Sequence, residues 1–117
     1  MPTRLTQNEV VTFSLSLAGT EKQSHMGRPD LRVGGRIFAT LPEDGLSVNV
    51  KADPLTLDSL VRADPETFES IWNGQMLGVR LARVDPKMLK ELLRDAWTAR
   101  SAKNTRARPT RGKLKRT

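Results

Sequence analysis

The chain has 117 residues, the length of one domain, and contains no cysteine, so neither disulfides nor a thiolate metal site holds it together. Its net charge of +7 is unevenly placed: eight bases and no acid lie from Arg100 onward, while residues 1–99 carry the remaining 12 bases against all 13 acids, a net −1. No apolar run reaches the roughly 18 residues that span a membrane, and Met1 to Val10 hold no signal-peptide core, so a reducing, cytoplasmic setting without a membrane partner is expected.

The first expected element is a helix. Thr6-Gln7-Asn8-Glu9 is a capping box, in which the Thr6 hydroxyl accepts from the Glu9 amide and Glu9 reaches back to the Thr6 amide. Val10, Phe13 and Leu17 follow at i, i+3 and i+7, widened by Val11, Leu15 and Ala18, with Gly19 as the expected stop.

Thr20 to Met26 is mostly polar and suits an edge strand. Next, Pro29 to Leu41 reads as two short strands folded on Gly34-Gly35, because paired glycines take the positive φ of a tight hairpin turn without steric cost. Leu46-Ser47-Val48-Asn49-Val50-Lys51 alternates with period two, and Pro42-Glu43-Asp44-Gly45 suits a four-residue connection. That register sets Leu41 against Leu46, Ala39 against Val48 and Ile37 against Val50 on one apolar face. The glycine turn leaves two arrangements open. A two-residue loop groups Leu31, Val33 and Phe38 on the second face, whereas a three-residue loop with a bulge joins Leu31 and Val33 to the Ile37 face.

Asp53-Pro54, Asp64-Pro65 and Asp85-Pro86 each read as a helix start, with Asp capping free amides and Pro at a position that needs no N–H. The first opens a helix to Ala63 carrying Leu55, Leu57, Leu60 and Val61, and the second a short turn or helix to Ile71. The third opens a long helix to about Arg100, lined by Met88, Leu89, Leu92, Leu93, Ala96 and Trp97. Before it, Leu77, Val79 and Leu81 alternate as a further strand. Strands joined by short turns predict an α+β domain over residues 1–100: an antiparallel sheet of four to six strands packed against N- and C-terminal helices. Residues 101–117 form a basic tail with too little apolar surface to order itself, and disorder is expected from about Lys103.

The segment His25-Met26-Gly27-Arg28-Pro29-Asp30-Leu31-Arg32-Val33-Gly34-Gly35-Arg36-Ile37-Phe38-Ala39-Thr40-Leu41 resembles the N-terminal hairpin of the MmcQ/YjbR family. Asp85-Pro86-Lys87-Met88-Leu89-Lys90-Glu91-Leu92-Leu93-Arg94-Asp95-Ala96-Trp97 is similar to that family's last helix. The family usually has an aromatic where this chain has Leu31, and a basic residue and a tryptophan before its last strand; here Trp72-Asn73-Gly74-Gln75-Met76-Leu77 is shorter. The resemblance implies a two-layer fold similar to frataxin-like and secretion-chaperone-like folds, and DNA binding. Frataxin-type iron binding needs carboxylates clustered on the first helix, which offers little besides Glu9.

Arg28, Arg32, Arg36, Lys51 and Arg80 are bases in or beside expected strands. With Phe38, Thr40, Ser47 and Asn49 they suit phosphate contacts and the stacking of one base, and equally the solvated face of a sheet. In the tail, Arg100, Lys103, Arg106, Arg108, Arg111, Lys113, Lys115 and Arg116 make an electrostatic footprint whose DNA affinity would fall with salt, by roughly 0.9 logarithmic units per phosphate neutralised. His25 is the one histidine and has no evident catalytic or metal-binding partners. Gly34-Gly35 lacks the lysine and helix start of a phosphate loop, and no Ser/His/Asp or paired-carboxylate arrangement stands out. Trp72 and Trp97 read as packing residues, with Trp72 the more exposed. The expected function is DNA binding without enzymatic activity, metal or cofactor. The alternative is a protein-interaction module whose partner covers the Leu31/Val33/Phe38 face.

Overall fold

The computed structural model describes the backbone over residues 5–25 and 28–105, and side chains over 5–24 and 28–101. The chain runs through α1 (Gln7–Leu15), β1 (Thr20–His25), β2 (Arg28–Val33), β3 (Arg36–Thr40), β4 (Ser47–Val50), α2 (Pro54–Ala63), β5 (Phe68–Ile71), β6 (Met76–Arg80) and α3 (Pro86–Thr105). It is an α+β fold.

Local chemistry starts the helices. At α1 the capping box is formed: Thr6 donates its amide to Glu9 Oε1 at 2.8 Å and accepts from the Glu9 amide at 3.2 Å. The helix ends at Leu15, before the expected stop at Gly19, with the Ser16 amide and hydroxyl both turned back to the Phe13 carbonyl. Asp53 caps α2 by accepting from the Thr56 amide at 2.9 Å, and Asp85 caps α3 by accepting from the Met88 amide at 3.3 Å. Asp64-Pro65 opens no helix. Asp64 closes α2, and its carbonyl accepts from the Thr67 and Phe68 amides in a turn that delivers the chain into β5. The strand at Phe68–Ile71 therefore replaces the short helix expected there, and pairing with β6 decides it. The last helix, α3, continues to Thr105, past the end expected at about Arg100. Arg106, Arg108, Arg111, Lys113, Lys115 and Arg116, where disorder was expected, lie outside the described residues.

The six strands form one antiparallel sheet in the order β1-β2-β3-β4-β6-β5. Gly34 and Gly35 sit at φ 60° and 79°, so the β2–β3 loop is the two-residue form, with Val33 paired to Arg36. A bulge also lies within this hairpin: Leu31 pairs with Ala39 and Arg32 with Ile37, which leaves Phe38 as the extra residue. The bulge changes the phase of β3. Phe38 drops into the core beside Ala39, and Ile37 turns to the opposite face beside Arg32. Ala39 pairs with Val50, not Val48, so the β3–β4 register is displaced by two residues from the expected one. Leu46 is consequently an exposed loop residue rather than a partner of Leu41.

The helices lie on one face of the sheet. Leu31, Val33, Phe38, Ala39, Val48, Val50, Leu77 and Val79 pack there against Val10 of α1, Leu57 of α2, and Leu89, Leu93 and Ala96 of α3. The Leu31/Val33/Phe38 group is thus fully enclosed core, with Phe38 0% exposed, and is not a surface for a partner protein. Three long-range bonds tie the layer together: Gln7 Nε2 donates to the Pro42 and Ser47 carbonyls, and Trp97 Nε1 donates to the Ala18 carbonyl at 2.9 Å.

Candidate nucleic-acid interface

Among the described residues, no helix covers the second sheet face. The paired residues Gln23, Asp30, Thr40, Asn49, Gly78 and Glu69 cross all six strands there in one row. At Gly78 an added Cβ would stand 3.0 Å from Ile71 Cγ1, so the Ile71 side chain folds across the row where glycine makes room. Asn49 donates from Nδ2 to Thr40 Oγ1 at 3.1 Å, which orients its amide. Asp30 is only 2% exposed, and its carboxylate accepts from Arg32 Nε at 2.8 Å and Nη2 at 3.1 Å. This fork neutralises a buried charge within the sheet, and it raises the Arg32 pKa further above its ordinary value, chiefly through the Asp30 hydrogen bond. Arg32 is therefore held by Asp30.

A groove of about 570 Å³ lies along this face. Ile37, Leu41 and Met76 give it an apolar floor, Thr40, Asn49 and Gln75 offer hydrogen-bonding groups, and Arg28, Lys51 and Arg100 stand at its rim. Lys51 Nζ donates to the Gln75 carbonyl at 3.1 Å, fixing the β5–β6 turn to the end of β4. Arg100 reaches the groove from α3, where its Nε donates to the Ile37 carbonyl at 3.1 Å. Burial, and then the nearby charge of Arg36, lower the Arg100 pKa from its ordinary value. The described ion pairs are Arg32–Asp30, Arg62–Asp58 and Arg83–Glu66, so neither Arg36 nor Arg100 is paired to a carboxylate among the described residues. Partly desolvated guanidinium beside a second guanidinium is an arrangement that a bound anion relieves.

Trp72 forms one wall of the groove and is 55% exposed. It opens the β5–β6 turn with φ 53°, followed by Asn73 at 56° and Gly74 at 84°. Asn and Gly tolerate this left-handed backbone, but for a bulky residue it is strained. A second cavity of about 420 Å³ between α2 and α3 shares Lys51 and Arg100 with the groove. Its lining includes Asp53 and Asp95, whose charge disfavours anions; the Asp53 pKa is lowered mainly by hydrogen bonding from the Thr56 amide and hydroxyl.

Of the bases singled out in the sequence, the fold brings Arg28, Lys51 and Arg100 to one groove and sets Arg36 beside Arg100. Arg80 is exposed at the far end of β6, paired with Ser47 and outside the groove. Lys103 belongs to α3 by its backbone, and its side chain is not among those described. Phe38, expected to stack a base, is core. The aromatic that lines the groove on the open face is Trp72, which the sequence reads as a packing residue, the more exposed of the two tryptophans. Among the described residues, no group of three His, Cys, Asp or Glu side chains is placed to hold a metal ion. No described helix is long and apolar enough to cross a membrane.

A family model described as YjbR matches residues 15–99 of the chain. Among solved structures, a Deinococcus radiodurans protein, DR2400, with a domain described as DUF419, superposes with a TM-score of 0.76 at 21% identity, covering 92% of this chain and 85% of that one. That likeness concerns the fold. No curated protein matches the chain.

Proposed function

The chain belongs to the YjbR family, and on that premise we propose that it is a cytoplasmic DNA-binding protein without enzymatic activity, holding the phosphate backbone along the open sheet face. One observation carries the reading: Arg28, Lys51 and Arg100 converge on a single groove, with the charge of Arg36 acting on Arg100. Guanidinium groups present planar pairs of donors that match phosphate oxygens, and such contacts position a protein on DNA without reading sequence. The carboxylate in the groove does not oppose this, since Asp30 is neutralised by Arg32. The basic residues beyond Thr105 add long-range attraction in proportion to their charge.

The test is the salt dependence of DNA affinity, measured by fluorescence anisotropy on the full chain. Binding is expected to weaken steeply with salt. Replacing Arg28, Arg36 and Arg100 together by Gln lowers the logarithmic slope by roughly 0.9 for each phosphate no longer neutralised, whereas Arg62→Gln, in an exposed pair on α2, leaves it unchanged. A second variant neutralises Arg106, Arg108, Arg111, Lys113, Lys115 and Arg116. If that variant abolishes binding while the groove variant retains the full slope, the groove is not the site and the reading fails.

A further inference from the structure

The groove is built for more than phosphate. Its apolar floor and its aromatic wall have no use in holding a sugar–phosphate backbone. The wall is the least explained of these. Trp72 lies half in solvent, so it adds little to the core, and the turn it opens is one that Asn or Gly forms more readily. A large aromatic held exposed on strained backbone, inside a cation-rimmed groove, marks a contact for a ligand.

Resting on the DNA-binding reading above, we propose that this groove takes an unpaired base of single-stranded DNA, stacked on the Trp72 indole, with its phosphates on Arg28 and Arg100. Four features agree. The volume of about 570 Å³ lies within the range of small-molecule pockets and admits a single nucleotide. The indole offers a π-face on which any base stacks. Asn49 and Gln75 line the same space, and hydrogen bonding to Thr40 fixes the Asn49 amide in orientation. The arginines at the rim supply the charge complement of the flanking phosphates, and Arg100 is anchored through Nε to the Ile37 carbonyl. A duplex hides its base faces in the stack and offers only backbone and base edges; a single strand also offers a free base face.

The proposal is tested with three labelled probes of equal length on the full chain: a fifteen-nucleotide oligothymidylate, its abasic counterpart with the same phosphates, and a duplex. The oligothymidylate is expected to bind about tenfold more tightly than the abasic strand, since stacking one base is worth about 1–3 kcal/mol. Trp72→Ala should bring the oligothymidylate down to the abasic level and leave abasic binding unaltered, while Trp72→Phe retains most of the difference. Equal binding of the thymidylate and abasic strands overturns the base pocket and leaves the phosphate reading standing. No binding of any probe at low salt overturns both. A polyglutamate of equal charge that competes as well as the oligothymidylate, or an oligouridylate that binds more tightly, also overturns the assignment to single-stranded DNA.

Discussion

Two neighbouring rows cross the sheet one residue apart. On the helix side, Leu31, Ala39, Val50 and Leu77 stand in register; on the open side, the next row reads Asp30, Thr40, Asn49 and Gly78. The first row is closed by burial against α3 and gains its stability from apolar area removed from water. The second is closed within itself, through the Arg32–Asp30 fork and the Asn49–Thr40 bond, so its polar groups are satisfied without a covering layer. The difference teaches how one thin sheet serves two ends. A face that satisfies its own polar groups can stay uncovered and keep a groove for a ligand, while the opposite face carries the fold.

The β3 bulge divides adjacent residues between these faces, and it supplies the largest effect. Phe38→Ala removes a fully buried ring, with an expected cost of about 3–5 kcal/mol. Ile37→Ala on the half-covered open face should cost about 1 kcal/mol. Urea unfolding monitored by circular dichroism measures both, with the slope unchanged if the denatured state is the same. Equal losses at the two positions would show that the open face is packed as a second core, and the comparison would break.

Much of the fold was legible because local chemistry and tertiary structure agree. The Thr6–Glu9 box, the Asp53 and Asp85 caps and the Gly34-Gly35 turn each have a single low-energy use in their context, and each is used that way. Agreement fails where one signal serves two structures. Asp-Pro opens a helix only if an apolar run follows; after Asp64 the chain is short, and pairing of Phe68–Ile71 with β6 outweighs the cap. The bulge at Phe38 leaves no trace in the alternation, because one unpaired residue reassigns the faces on either side of it without changing any residue type. That reassignment is why the Leu31/Val33/Phe38 group, a plausible surface in a flat hairpin, is core. The basic residues were readable as bases, but their grouping was not: Arg100 comes from the last helix to meet Arg28 of β2, a juxtaposition that only the tertiary fold creates.

A middle-sized effect tests whether the open face is closed within itself. Arg32→Ala leaves the Asp30 carboxylate buried without its charged donor, and should cost about 2–3 kcal/mol. Arg62→Ala, which breaks an exposed pair on α2, should change stability by less than about 0.5 kcal/mol. The contrast separates a fork made within a sheet from one made in water. A loss at Arg32 no larger than that at Arg62 would mean that Asp30 is solvated, and that its row is not closed within itself.

A small stability effect is expected at the residue on which base stacking depends. Trp72→Asn loses the covered half of the indole but relieves left-handed strain at φ 53°, since Asn adopts that region more readily than a bulky side chain. The two terms oppose, and the net change should lie within about 1 kcal/mol of zero. Trp97→Ala makes the reference, because the Trp97 indole packs against the core and donates to the Ala18 carbonyl at 2.9 Å. Its loss should cost about 3 kcal/mol. Thermal unfolding of the two variants reads the contrast directly. If Trp72→Asn destabilises as much as Trp97→Ala, the indole is a packing element of the β5–β6 turn, and its exposure needs no ligand to explain it. If stability holds while affinity for single strands falls to the abasic level, the strain at Trp72 belongs to the groove and not to the fold.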